Sequence, residues 1–179
     1  NEKGEPIRHR DYQVASTYVG LKFKRRVILS PTASGKSLIV YTLMRAILDE
    51  VPGKILIIEP RIGLVKQIFG DFADYSKINK FDVEENCHII YGGQDKDTKK
   101  RVYISTYQSI YKLDEDYFRQ FSAVIIDETH NAKSDSFVKI LEKCINAEYR
   151  IGLTGTLDGW ETNEMVIQGL LGKVTRVAS

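Results

Sequence analysis

Short, fully apolar runs alternate along this chain with longer stretches whose apolar residues recur at helical spacing. Arg26–Ser30 ("RVILS") reads as a buried strand by its length and β-branching. In the following "LIVYTLMRAILDE" (38–50), Leu38, Tyr41, Leu43, Ala46 and Ile47 fall on one helical face, and Pro52-Gly53 ends the helix. The alternation continues with "KILIIEP" (54–60) as strand and "IGLVKQIFGDFADY" (62–75) as helix. "HIIY" (88–91) and "RVYISTY" (101–107) are strands around the polar loop "GGQDKDTKKR". "SAVIIDE" (122–128) is a strand running into carboxylates, "SFVKILEKCI" (136–145) a helix, and "YRIGLTGT" (149–156) the last strand. "NEMVIQGLLG" (163–172) closes as a helix capped by Gly172. Strands apolar throughout, separated by helices, predict an α/β fold: a parallel β-sheet with helices on both faces. Ligands in such folds bind at the carboxyl ends of the strands.

Length and composition narrow this picture without adding chemistry. The 179 residues suffice for one well-buried domain, 1–179, and no linker divides them. A hydrophobic fraction of 42% with 28% charged residues fits a globular chain, not a disordered one. The formal charge of +2 gives no global case for nucleic acid, so that case must rest on local motifs. Cys87 and Cys144 lie far apart with no Cys-x-x-Cys spacing, which argues against structural zinc and for a reducing, cytoplasmic setting. No apolar run approaches the roughly 18–20 residues of a membrane span. The polar start "NEKGEP" and the end "VTRVAS" read as cuts in a longer polypeptide.

Candidate chemistry begins at "SPTASGKS" (30–37), between a strand and a helix. A phosphate-binding loop is written G-x-x-x-x-G-K-[ST], and Ser30 stands at its first glycine. In such a loop the backbone N–H groups of Thr32, Ala33, Ser34 and Gly35 cradle phosphates. Lys36 reaches the β- and γ-phosphates, and Ser37 offers its hydroxyl to Mg²⁺. The bland reading is a strand-to-helix turn with Ser37 as a cap. The second signal is "VIIDETH" (124–130), where Asp127 and Glu128 emerge at a strand's carboxyl end. Asp127 suits a water-mediated Mg²⁺ ligand and Glu128 a general base for the attacking water. Both elements, in this order and each at a strand end, point to an NTPase.

These residues resemble the first RecA-like motor domain of superfamily 2 helicases and DNA translocases, a three-layer α/β/α P-loop NTPase fold. "SPTASGKS" is similar to that family's phosphate loop, Asp127–His130 to its DE-x-[DH] box, and "TGT" (154–156) to its S/T-A/G-T motif. The resemblance implies that ATP and Mg²⁺ bind at Lys36, Ser37, Asp127 and Glu128. It also implies that His130 with Thr154, Gly155 and Thr156 couples hydrolysis to domain movement. "RHRDYQ" resembles the adenine-reading element, with Gln13 on the adenine edge. "EPRIGLVKQ" (59–67) resembles a nucleic-acid motif in which Pro60, Leu64 and Gln67 match and Arg61 replaces the usual Thr. "YGG" (91–93) and "STYQSI" (105–110) match two further backbone-gripping motifs. They assign nucleic-acid contacts to Gly92, Gly93, Ser105, Thr106, Tyr107 and Gln108.

Within the family the motifs look closest to phage UvsW-type recombination and repair DNA helicases. The implied partners are branched DNA or single-strand/duplex junctions, with RNA not excluded, and a second RecA-like domain of the same chain. The implied location is a phage-infected bacterial cytoplasm. The arginine fingers that complete the ATP site belong to that second domain, so this piece alone is expected to hydrolyse ATP poorly or not at all. Two rivals stay open: the motor subunit of a restriction-type DNA translocase, and a nucleotide-switched nucleic-acid-binding module. The densest basic runs, "KFKRR" (22–26) and "KDTKKR" (96–101), read either as solvated faces or as phosphate contacts. Tyr107 either stacks on a base or packs in the core, and Trp160 either faces a second domain or caps this one.

Overall fold

In the computed structural model, which describes residues 7–30, 35–129, 135–158 and 164–177, every predicted strand is present. They are β1 (Arg25–Leu29), β2 (Lys54–Glu59), β3 (Cys87–Ile90), β4 (Val102–Thr106), β5 (Phe121–Ile126) and β6 (Tyr149–Thr154). A short seventh, β7 (Val174–Arg176), joins them in one sheet of order β3-β4-β2-β5-β6-β1-β7, parallel throughout. Side chains alternate between faces with period two. Ile28, Ile55, Ile57, Ile104, Ile125 and Ile151 enter one core, while Val27, Leu56, Ile58, Tyr103, Val124 and Ile126 enter the other. Burial on both faces explains why these runs carry no polar alternation.

The first core is covered by α1 (Asp11–Phe23), α2 (Lys36–Glu50) and α3 (Ile62–Ser76), with the single turn α4 (Val83–Asn86) leading into β3. The second lies under the short turns α5 (Tyr107–Ile110) and α6 (Glu115–Phe118), then α7 (Asp135–Lys143) and α8 (Glu164–Leu171). Gly172 ends α8 at φ +95, and a Cβ there would lie 2.3 Å from the Arg25 carbonyl oxygen. The turn to β7 therefore requires glycine, as its predicted capping role implies.

One charged residue serves the scaffold alone. Arg150 on β6 is buried, and its guanidinium donates to the carbonyls of Leu141 (3.0 Å), Cys144 (2.6 Å) and Ala147 (3.2 Å). It thereby ties down the carboxyl end of α7, adding a charged donor to carbonyls of which those of Leu141 and Cys144 also accept a backbone N–H. The two thiols are inert core groups: burial pushes both Cys87 and Cys144 up to about 12. Among the described residues, no helix is long and apolar enough to cross a membrane.

Candidate active site and groove

The carboxyl edge of the sheet gathers the predicted site residues from six strands, β1 to β6. β1 ends at Ser30, which is fully buried and donates its N–H to the Thr154 carbonyl at the end of β6 (2.9 Å). Ser30 thus extends the strand pairing, and a glycine has no conformational task there. Thr32, Ala33 and Ser34 lie outside the described residues, as do His130 and Trp160. The loop resumes at Gly35, whose φ of +144 disfavours any side chain. A Cβ on Gly35 would meet Gln13 Nε2 and the Tyr12 hydroxyl, each at 2.7 Å. Gln13 itself is buried. Its Oε1 accepts from the Arg10 N–H (2.8 Å) and its Nε2 donates to the Gly35 carbonyl (3.2 Å). One end of this amide caps α1 at Arg10 and the other braces the loop at Gly35.

Lys36 opens α2 and is 4% exposed. Its ammonium pairs with Glu128 and lies 3.7 Å from Asp127 Oδ1. Asp127 Oδ1 also accepts the Glu128 N–H (2.8 Å). The turn after β5 holds Glu128 in the left-handed region, at φ +54. For a residue with a Cβ this conformation costs about 1–2 kcal/mol. It aims the carboxylate back across the strand end toward Lys36. Thr129 then tucks under β6, its hydroxyl donating to the Leu153 carbonyl (3.4 Å). The Thr154 hydroxyl donates to the Thr156 carbonyl (2.7 Å), shaping the turn that includes Gly155. The sheet order accounts for the convergence: β5, carrying the carboxylates, sits one strand from β2 and two from β1.

Ser37 is placed differently from its predicted partnership with Asp127. Its hydroxyl shares a 2.8 Å hydrogen bond with Tyr75 of α3, beside Asp71. Burial raises the Asp71 carboxyl, with the Ser37 hydroxyl acting in the opposite direction. Among the described residues, no three His, Cys, Asp or Glu side chains converge closely enough to hold a metal by themselves. The donor set fits Mg²⁺ that arrives with a nucleotide, with Asp127 as the protein's anchor and phosphates filling the remainder.

The sequence reading missed one member of this cluster. Glu59, the last residue of β2, is 1% exposed, and its Oε2 has no hydrogen-bond partner among the described residues. Burial raises its carboxyl well above the usual range, the neighbouring Asp127 adds to that, and Lys36 opposes it. An acid at the end of an apolar run reads as solvated. Only the sheet order, which sets β2 against β5, shows that it is enclosed.

The nucleic-acid residues separate into two sets. A groove of about 600 Å³ is lined by Pro60, Arg61, Ile62, Gly92, Thr106, Gln108 and Ser109. It draws on three loops that follow β2, β3 and β4. Gln67 and Gly93 are exposed nearby in sequence but do not line it. Ser105 corrects the expectation of a phosphate contact. It is fully buried in β4, and its hydroxyl is spent on the Thr106 carbonyl (2.8 Å). Tyr107 is half-buried: it packs against the second core and lines a small cavity with Pro60, Asp127, Glu128 and Phe137. The second basic run is also structural at its end. Arg101 donates to the carbonyls of Leu48 (3.0 Å), Val51 (2.6 Å) and Gly53 (2.9 Å), at the sheet edge opposite the groove.

A second cavity, about 370 Å³, lies between α2, α3 and the segment before α1. Ile7, His9, Leu38, Thr42 and Tyr75 line its loop-side end, and a hydrogen bond links His9 Nε2 to Thr42 Oγ1 (2.9 Å).

Comparison with known proteins bears on the whole arrangement. The ResIII family, described as the res subunit of type III restriction enzymes, matches residues 7–159. The chain is 34% identical over 167 residues to the ATP-dependent DNA helicase uvsW of Enterobacteria phage T4, covering 91% of this chain and 32% of that protein. It is 32% identical over 152 residues to the DNA 3'-5' translocase XPB2 of Sulfurisphaera tokodaii, covering 85% and 31%. It thus spans about a third of the length of these curated relatives. Two solved structures of T4 UvsW superpose with TM-scores of 0.84 and 0.88 at 32% identity. They cover 97% and 98% of this chain and 61% and 36% of those chains. The Pyrococcus furiosus Hef helicase domain, at TM-score 0.74 and 22% identity, shares the fold.

Proposed function

The chain belongs to the ResIII family of superfamily 2 motor domains, and from that premise we propose that it is the first, ATP-binding RecA-like domain of a DNA helicase or translocase. The observation that carries the reading is the meeting of Lys36, Asp127 and Glu128 at one strand edge, beside the groove lined by Pro60, Arg61, Thr106 and Gln108. In this reading the phosphates of ATP draw Lys36 away from Glu128. The freed carboxylate then orients and deprotonates the attacking water. Bound Mg²⁺ would supply charge neutralisation on the phosphates. Asp127 would hold it, joined by Ser37 once its hydroxyl turns from Tyr75. Gln13 keeps the loop in shape, and the cavity bordered by His9, Leu38 and Thr42 receives the base.

Thr154 to Thr156 sit where the end of β6 meets the root of the phosphate loop, which suits the coupling role proposed for them with His130. A second RecA-like domain would complete the site across this edge, so turnover by the isolated chain should be slow. Branched DNA is the substrate class proposed here, on the similarity to T4 UvsW. The description of the ResIII family and the likeness to XPB2 favour a second reading, translocation along duplex DNA without strand separation. A strand-displacement assay on forked DNA distinguishes the two.

The test of the central reading is Glu128→Gln in a protein that joins this chain to a second motor domain. Nucleotide binding should persist while DNA-stimulated hydrolysis is lost. Turnover at the wild-type rate would remove Glu128 from the role of base.

A further inference from the structure

α1 does not segregate apolar and polar residues onto separate faces. It buries Gln13, Ser16, Thr17 and Gly20 together with Tyr12, and turns Val14, Tyr18 and Phe23 outward, at 56%, 59% and 43% exposure. The outward rings are arranged with cations. Lys22 Nζ stands 5.5 Å from the Tyr18 ring centre and 5.3 Å from that of Phe23, and the Arg26 guanidinium lies 4.0 Å over Phe23. Arg26 Nε, though enclosed, has no hydrogen-bond partner among the described residues. Lys24 and Arg25 continue the basic run into β1, and the exposed Lys173 adjoins it through its carbonyl, which accepts the Val27 N–H. The acids acting here are Glu148, paired with Lys24, and Glu50. Arg150, buried beneath, adds a positive charge that Arg25 feels.

Cations held against half-exposed aromatic rings provide the two contacts a nucleic-acid strand uses: phosphates to Lys or Arg, and bases to flat π surfaces. The patch lies at the amino end of β1, whereas the groove lies at the carboxyl ends of β2 and β4. The strands separating those edges rise about 3.3 Å per residue, so one short strand segment cannot occupy both places.

We propose that Tyr18, Lys22, Phe23 and Arg26 form a second nucleic-acid site, which holds another arm of the DNA whose translocated strand occupies the groove. Charge complementarity commits the patch to nucleic acid rather than to a protein surface, because cations outnumber acids and flank every exposed ring. The inference rests on the proposed nucleic-acid role of the groove, and the experiment separates the two. Affinities for a three-arm fork and for a single strand are measured by fluorescence anisotropy over a salt series. The variants are Tyr18→Ala/Lys22→Ala, the milder Lys22→Gln, and Arg61→Ala in the groove.

Both α1 changes lie on an exposed helical face, and thermal unfolding checks that the fold is kept. Tyr18→Ala/Lys22→Ala should weaken fork binding by roughly fivefold or more, as loss of a stacked base and a phosphate contact implies, and should flatten the salt slope by about 1. Single-strand binding should stay within about twofold of wild type. Lys22→Gln should reduce the fork salt slope alone. Fork affinity and slope unchanged in both α1 variants would overturn the second site. So would a change in sedimentation with fork binding intact, which would mark the patch as a protein interface. If Arg61→Ala leaves both substrates bound as tightly as before, the groove reading itself fails.

Discussion

Glu59→Gln should stabilise this domain, and the gain should depend on pH. In the native fold Glu59 is 1% exposed, with no partner for Oε2 among the described residues, and lies beside the carboxylate of Asp127. A buried acceptor left without a donor costs about 1–3 kcal/mol. Glutamine keeps the volume, removes the charge, and offers N–H groups to Asp127. For a domain of this size each kcal/mol moves Tm by about 2–4 °C, so the variant should melt roughly 2–12 °C higher at pH 8. The native carboxyl is raised above the unfolded one, so within the window between the two values the folded state binds more protons. Wild-type stability therefore falls as pH climbs through that window. Below the ordinary carboxylate value of 4.5, Glu59 is protonated in both states and the advantage of glutamine should shrink toward zero. Thermal unfolding of both proteins, followed by circular dichroism at pH 4 and pH 8 in EDTA, reads the difference. Because the two proteins differ at one residue, the titration of carboxylates remote from Glu59 cancels in the comparison, while that of its neighbour Asp127 belongs to the measured effect. An equal or lower Tm for the variant at pH 8, or the same gain at both pH values, refutes the reasoning.

The other predictions follow from single contacts. Arg150→Ala removes a buried cation that holds three carbonyls; denaturant unfolding should show a loss of about 3 kcal/mol or more, with nucleotide affinity unchanged where folded. Gly35→Ala forces a side chain onto φ +144 against Gln13 and Tyr12, and fluorescent-nucleotide titration should show affinity falling roughly tenfold. Ser30→Gly restores the usual glycine, yet should leave nucleotide affinity within about twofold, because Ser30 belongs to the strand ladder.

Strands carried the sequence reading because burial on both faces leaves an apolar run that needs no partner to be recognised. Helices with a conventional apolar stripe, such as α2 and α3, were legible on the same grounds. α1 was not: its buried face mixes Tyr12 with Gln13, Ser16 and Thr17, so no apolar stripe marks it. β7 has three residues and none is buried, which leaves no pattern to read. At the site, Lys36, Asp127 and Glu128 could be placed together because each stands at a strand end, and strand ends share an edge. Which way a side chain turns could not be read in that manner. Ser105 and Thr106 are consecutive hydroxyls in one motif, yet only Thr106 lines the groove. Likewise Ser37 reaches Tyr75, a residue 38 positions away that spacing alone does not bring near.

The position of β5 between β2 and β6 has a mechanical consequence. A load applied at Arg61, two residues past β2, enters the sheet through that strand, whose ladder to β5 continues to the bond from the Asp127 N–H to the Ile58 carbonyl (3.0 Å). Parallel ladders of this kind resist sliding over their whole length at once, so the force does not dissipate in a loop. It passes to β6 and then to β1, where Ser30 and Val177 pin the root of the phosphate loop from either side. The parallel sheet is thus the stiff member of the domain.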